Sequence, residues 1–348
     1  MLSVRARYAV TGAGLPSISD RSAPAESRPE QGAAEEAVAQ RRPTARRLYL
    51  PSFAFAAATG WVAWQGAVSL ERRDALGSTM ASGWAELAAP ALIGLVLIVL
   101  ACEQIWPAER RRALARGHVH DACFFLVYAA AVVPLMTLLG VGFASVLGAH
   151  AQWIEAPWTA SWPRWVVVAV TLVAMDACNW LAHWADHRID TLWRFHAVHH
   201  SQEELSVLTS FRAHPLVHTT GFLMATVPVV ALTGDHALAA VLITAYVCLG
   251  TLPHANVRWS FGPVGKIIVS PAYHRIHHSI DGPIGANLGI VLTVWDVLAR
   301  RAVFPRASSA VCRTGLAGRP LEIEQVRDRS RRVPLLLAQL VGPFVRMG

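Results

Sequence analysis

His183 and His187 lie four residues apart in HWADH. His196, His199 and His200 form HAVHH, and His274, His277 and His278 form HRIHH. On a helix, positions three and four apart share a face, so each run can turn its imidazoles toward one point. That spacing predicts His183 beside His187, and His196 beside both His199 and His200. His214 and His218 make a further pair in HPLVH, and His254 stands alone. Neutral imidazole is a common metal ligand. The three strongest runs supply 8 imidazoles, more than one ion with open positions needs, and enough for two ions. Iron, copper, zinc and nickel all accept nitrogen ligands. Two carboxylates, Asp176 and Asp186, are placed to orient ligand histidines by accepting an imidazole N–H. His118, His120, His150 and His236 lack such spacing and are read as ordinary polar residues. A zinc protease of the HExxH type is excluded, because its general base must follow the first histidine and Trp184 stands there.

Elements that place these runs on one surface have to span an apolar medium. The chain of 348 residues is 54% hydrophobic and 16% charged, against about 25% charged for a soluble domain. Its net charge of +8 belongs to arginines flanking apolar segments, a positive-inside pattern. No basic stripe interleaved with aromatics accompanies it, so nucleic acid is not an expected partner. The 5 cysteines have no CxxC spacing, which argues against a thiolate zinc site or a disulfide framework.

Residues 1–47 are expected to form a disordered basic N-terminal tail. Residues 48–305 form the membrane-embedded domain, and 306–348 a C-terminal tail whose apolar end suits an interfacial helix. Apolar segments at Leu48–Leu70, Leu87–Trp106, 122–147 and Trp165–Leu181 predict about four spans. Leu216–Pro253, interrupted by Gly234-Asp235-His236, predicts a helical hairpin. The expected fold is therefore all-α: an integral membrane helical bundle of about four spans plus a hairpin. With the N-terminus in the cytosol, both histidine blocks fall on the cytosolic face beside the arginines of 110–116. Arg194, Arg212 and Arg275 flank the runs and are expected near the surface, where they could attract an acidic partner or a lipid headgroup or snorkel to the interface. Most tryptophans, Trp180, Trp184 and Trp193 among them, are expected as interfacial anchors.

The runs Leu192-Trp193-Arg194-Phe195-His196, Val198-His199-His200-Ser201 and Thr209-Ser210-Phe211-Arg212 with His214-Pro215 resemble the fatty acid hydroxylase/sterol desaturase superfamily. So do His254-Ala255-Asn256-Val257, Ser270-Pro271-Ala272-Tyr273-His274-Arg275-Ile276-His277-His278-Ser279, and Asn287-Leu288-Gly289 with Trp295-Asp296. The resemblance covers about residues 90–305. It implies a membrane oxidoreductase with a cytosol-facing, histidine-bound pair of iron ions that hydroxylates or desaturates a lipid with O2. His183, His187, His196, His199, His200, His274, His277 and His278 match the signature boxes. His214, His218 and His254 match additional histidines able to join the ligand set, and Asn287 matches a position expected to hydrogen-bond behind the ligands. No HPGG motif of a fused cytochrome b5-like domain occurs, so the electrons are expected from a separate cytochrome b5-like or ferredoxin-type donor. The arginine- and alanine-rich composition points to a bacterial inner membrane. Zinc could occupy the same nitrogen ligands. A non-catalytic or zinc-loaded membrane metal-binding protein of the same fold is thus the alternative. A transporter would place its ligands near the bilayer midplane, whereas here they stand at span ends.

Replacing His199 or His277 with Ala is expected to abolish metal binding and activity while leaving membrane insertion intact. Elemental analysis of the membrane-extracted variants checks this, and full activity in either would remove that residue from the ligand set.

Overall fold

The computed structural model describes residues 47–48, 50–78, 90–110, 116–150, 157–233, 236–283, 285–306, 312–316 and 332–346. The N-terminal tail lies outside these residues except for Arg47. The described fold is helical apart from one two-residue antiparallel pairing, β1 (Arg47–Leu48) with β2 (Val345–Arg346). The first helices are α1 (Leu50–Glu71), α2 (Pro90–Ile105), α3 (Arg116–Val127) and α4 (Val133–His150). A π-helical turn at Tyr128–Val132 joins α3 and α4 into one rod. Then come α5 (Arg164–Asp186), α6 (Asp190–His200), α7 (Val217–Thr233) and α8 (His236–Thr251). The short α9 (Pro271–His277) and α10 (Val294–Leu298) and the C-terminal α11 (Arg332–Val341) complete the set.

Two helices among the described residues are long and apolar enough to cross a membrane, Gly117–Val146 and Arg164–Asp186. They correspond to the third and fourth expected spans. The expected first span is the 22-residue helix α1, diluted by Ser52, Thr59, Gly60, Gln65 and Gly66. The expected second is α2, whose 16 residues rise about 24 Å, short of a hydrocarbon core of about 30 Å. The expected hairpin is present as α7 and α8. Large apolar side chains point outward on these helices: Trp64 on α1, Leu97 and Ile98 on α2, Leu126 on α3 and Val173 on α5 are all exposed. Such a belt suits lipid rather than water. The chain is a membrane protein.

Two apolar clusters hold the bundle around the histidine runs. Met175 of α5 packs with Ala225 and Val229 of α7 and Leu242 and Tyr246 of α8. Leu92, Val96 and Val99 of α2 pack with Val207, Phe211, Ala255 and Val257. Truncating a fully buried methionine such as Met175 to Ala costs roughly 2–5 kcal/mol. Residues 207–211 and 255–257 flank the second histidine run and His254, so the second cluster fastens the site's own loops to α2.

Helices α1 and α4 meet backbone to backbone. A Cβ on Gly66 would fall 1.9 Å from the Leu138 carbonyl oxygen, and one on Gly142 would fall 2.1 Å from that of Val62. Only glycine permits this approach, as in small-residue helix contacts within membranes. The C-terminal segment packs onto the bundle. Gln339 of α11 is buried against His120, whose ring lies 2.7 Å away, and Ser52 donates to the Pro343 carbonyl at 2.8 Å. Arg194 donates to the same carbonyl at 3.0 Å and also to that of Val345.

Gly66→Val and Gly142→Val are each expected to separate α1 from α4 and to lower the thermal midpoint of the detergent-solubilised protein. Gly60→Val, with open space around its Cβ position, is the control expected to leave that midpoint nearly unchanged.

Candidate metal centre

The histidine runs come together at the ends of α5, α6, α8 and α9. Their ring nitrogens form two groups, in each of which the ligand atoms lie within 4.8 Å of one another. One contains His183, His187, His196, His200 and His277, the other His199, His254, His274 and His278. The partition follows helix geometry. His183 and His187, His196 and His200, and His274 and His278 are i,i+4 pairs, and each pair stays together. The middle histidine of each HxxHH run, His199 or His277, points around the helix into the opposite group. His196 sits beside both partners, with ring centres 5.4 Å from His199 and 4.8 Å from His200, but it shares a group only with His200, and α6 and α9 each serve both groups.

The nitrogens facing one another are lone pairs. A neutral imidazole has one N–H. His199 Nδ1 donates to the Arg212 carbonyl at 3.1 Å, leaving Nε2 unprotonated. His254 Nδ1 lies 3.0 Å from Ser210 Oγ, whose own hydrogen goes to the Thr251 carbonyl. His254 Nδ1 must therefore donate, and its Nε2 is also bare. These two bare nitrogens stand 3.0 Å apart. Around them, His254 and His274 Nε2 are 3.0 Å apart, and His274 and His278 Nε2 3.2 Å. Two imidazoles bound to one ion through bonds of about 2.1 Å have this separation; without a cation such lone pairs repel.

The other group is built alike. His183 Nδ1 donates to the Leu288 carbonyl and His277 Nδ1 to that of Ala286, both at 2.8 Å. Nε2 of His183, His187 and His277 is buried without a hydrogen-bond partner, and His196 and His200 bring Nε2 atoms to within 3.1 Å of each other. Burial first, then the neighbouring imidazoles, pushes His196, His200, His274 and His278 well below the ordinary histidine pKa. Burial also drives His254 down to about 3. The rings are therefore neutral at physiological pH, the form that binds metal. The residues present fit two cations held by nitrogen.

Beside both groups lies a cavity of about 270 Å³, near the lower end of small-molecule sites at roughly 300–1,000 Å³. Met175, Phe222, Ala225, Ile243 and Val247 give it an apolar wall, while His183, His196, His199, His254 and His274 line one side.

The "Fatty acid hydroxylase" family model matches residues 168–300, the stretch that carries all nine grouped histidines. Ornithine lipid hydroxylase OlsE of Rhizobium tropici is 26% identical over 264 residues, covering 74% of this chain and 75% of its own. Alkylglycerol monooxygenases of Danio rerio and Homo sapiens are each 26% identical over 146 and 141 residues, or 42% and 40% of this chain. Over residues 168–300 the chain is similar to the fatty acid hydroxylase superfamily. The hydroxylase and monooxygenase relatives support an oxidoreductase of that type. The chain spans about a third of the length of those alkylglycerol monooxygenases, 31% and 30%. No solved structure matches it significantly.

Of the 11 histidines singled out in the sequence, 9 enter the two groups. His214 does not. Its Nε2 donates to the Leu340 carbonyl at 2.9 Å and its Nδ1 accepts from Leu216 N at 3.1 Å, so no lone pair remains for a metal. His218 also lies outside both groups, edge-on to Tyr128 with ring centres 5.1 Å apart.

The three residues expected to support the ligands divide likewise. Asp176 accepts from Trp295 Nε1, Tyr246 Oη, Leu292 N and Val291 N at 2.8–3.1 Å. None of these donors is a histidine; the carboxylate ties α5 to the segment before α10. Asp186 lies 3.7 Å from His196 Nδ1, beyond hydrogen-bond reach. Asn287 supports the ligands through backbone. It adopts φ 57°, a left-handed conformation that asparagine tolerates. Its side chain donates to the Tyr273 and Val303 carbonyls and accepts from Val303 N. On either side of it are the carbonyls of Ala286 and Leu288 that hold His277 and His183.

Residues the histidine spacing did not mark finish the frame. Asp296 accepts from Leu288 N, Gly289 N, Trp180 Nε1 and Tyr273 Oη at 2.8–2.9 Å, fixing the same loop. Trp180 is thus a structural donor rather than only an interfacial anchor, and Trp193 packs on His187 and His200 with ring centres 5.2 and 5.6 Å apart. Arg212, expected near the surface, is buried and paired with Asp121 at 3.2 Å, and it also donates to Ser201 Oγ. That pairing fixes the peptide whose carbonyl holds His199. Arg275 is buried too, bonded to Glu109 and Asn256. Their signal lay only in the family motif, since charge alone points an arginine outward.

Asn287→Gly keeps the backbone freedom and removes the three side-chain bonds. Its metal affinity is expected to fall about 10–100-fold, measured by competition with a chromophoric chelator, with the fold retained by circular dichroism.

Proposed function

We propose that this chain is a multi-pass membrane hydroxylase that holds two iron ions and uses O2 to hydroxylate an aliphatic C–H bond of a lipid. The observation that carries the reading is the pair of buried imidazole groups with unpaired nitrogens bordering an apolar cavity. The names of the relatives, a hydroxylase of an ornithine lipid and monooxygenases of alkylglycerols, support a lipid substrate and favour hydroxylation over desaturation.

In this reading His183, His187, His196, His200 and His277 hold one ion and His199, His254, His274 and His278 the other. Bound there, the two ions would supply O2 activation and removal of hydrogen from carbon. The chain's own part is positional. The carbonyls of Arg212, Ala286 and Leu288 keep Nδ1 protonated on His199, His277 and His183, so that Nε2 remains a ligand. Met175, Phe222 and Ile243 exclude water and lay an alkyl chain against the histidine side of the cavity. Inserting one oxygen atom of O2 and releasing the other as water consumes a pair of electrons and a pair of protons. A separate cytochrome b5-like or ferredoxin-type protein is the proposed electron source.

The proposed catalytic unit is residues 48–305. Its proposed topology has four spans, α1, α2, α3–α4 and α5, the short α2 matched by local thinning of the bilayer, with α7–α8 as a hairpin entering from the same side. The arginines around 41–47 and 110–116 support a cytoplasmic histidine face, and the composition a bacterial inner membrane.

Metal analysis of detergent-purified chain from iron-replete cells is expected to give about two irons per chain, in line with two ligand groups. With a reductant and membrane lipids, ¹⁸O2 is expected to label a lipid hydroxyl. Zinc alone, with no labelled lipid after iron reconstitution, would refute the oxygenase and leave a metal-binding member of the fold.

A further inference from the structure

The cavity wall carries one polar ring atom that neither metal group uses. Most polar side chains on it already have partners. Asn179 donates to the Met175 carbonyl, Ser210 to Thr251, Thr251 to Cys248 and Tyr246 to Asp176. His218 differs from these. It lines the cavity, its Nε2 is buried without a hydrogen-bond partner, and it belongs to neither ligand group. A buried polar atom left without a partner is costly and uncommon. Val217, Gly221, Phe222 and the ring of Tyr128 line the cavity with it, while Asn179 and Asp186 also lie on the lining.

We infer that His218 is the substrate-reading residue of the cavity: its Nε2 hydrogen-bonds an oxygen function of an otherwise aliphatic chain and thereby fixes which carbon meets the metal centre. The ligand class is a long-chain lipid with a hydroxyl, ether or ester oxygen seated inside the cavity rather than at its mouth. A hydroxyl suits either tautomer of the ring, because it can donate to Nε2 or accept from it. His218 opens α7, whereas His199 and His254 stand at the ends of α6 and α8 on the histidine side. One anchored oxygen and one reactive position thus define a ruler along the chain. An apolar wall alone discriminates poorly between neighbouring methylenes, while a buried hydrogen bond discriminates strongly.

The inference rests on the lipid hydroxylase reading, but binding tests it separately from turnover. The full chain is purified in a steroid-based detergent, which has no alkyl chain to enter the cavity. Displacement of cis-parinaric acid is then measured with 1-dodecanol and with dodecane. The wild type is expected to prefer the alcohol by about tenfold, the scale of one hydrogen bond. His218→Leu is expected to bind both equally and to keep the metal content of the wild type; His218→Phe is the second apolar variant should Leu not fold. Three results would overturn the proposal: a preserved alcohol preference in the apolar variant, a lost metal equivalent, which would make His218 a ligand, or no displacement from the wild type. Normal preference with no ¹⁸O-labelled lipid would instead refute the hydroxylase reading and leave the binding role of His218 standing.

Discussion

Nine imidazoles converge at helix ends with their ring nitrogens facing one another in two groups, and the rest of the structure has to hold them there. Facing lone pairs gain nothing from proximity, so the polypeptide must impose the arrangement until cations satisfy it. It does so through the far nitrogens of the rings. Backbone carbonyls of Arg212, Ala286 and Leu288 and the hydroxyl of Ser210 each accept one Nδ1–H, and each thereby fixes a tautomer. A carbonyl does this without adding charge to a dry site. The proposed metal site therefore depends on where three peptide groups sit.

Those peptides are held in turn by a layer of buried charge. Asp296 collects four donors around the loop that contains Leu288, and Asp121 with Arg212 fastens the segment that holds His199. Breaking a buried ion pair by removing one partner typically costs about 3–5 kcal/mol, so the Asp121–Arg212 pair rigidifies its segment even if its net contribution is small. Asp176 belongs to the same layer, although it touches no histidine. The apolar helices supply what the charges need: α5, α7 and α8 enclose the cavity, and α2 covers residues 207–211 and 255–257. Polar chemistry at a membrane is affordable here because it stands at helix ends, where irregular segments can cross without exposing peptide groups to lipid.

Much of this was legible in the residues. Composition and the apolar segment lengths marked a helical membrane protein, because both follow from the solvent the chain must face. The i,i+4 pairs His183–His187, His196–His200 and His274–His278 stayed together, because helical periodicity is local. The count of imidazoles implied more than one ion before any coordinates.

What only the tertiary structure decided is how those helices face one another. His199 and His277 cross into the opposite groups because α6 and α9 lie between both centres, and no spacing along the chain encodes that. His214 matches its neighbours in type and spacing, yet both its nitrogens are consumed by Leu340, 126 residues away, and by Leu216. His218, four residues on, faces a cavity made by helices distant in sequence. Arg212 is buried because Asp121, 91 residues earlier, neutralises it. Hydrogen-bond partners at such separations are set by packing, while side-chain type and periodicity are set by the sequence alone.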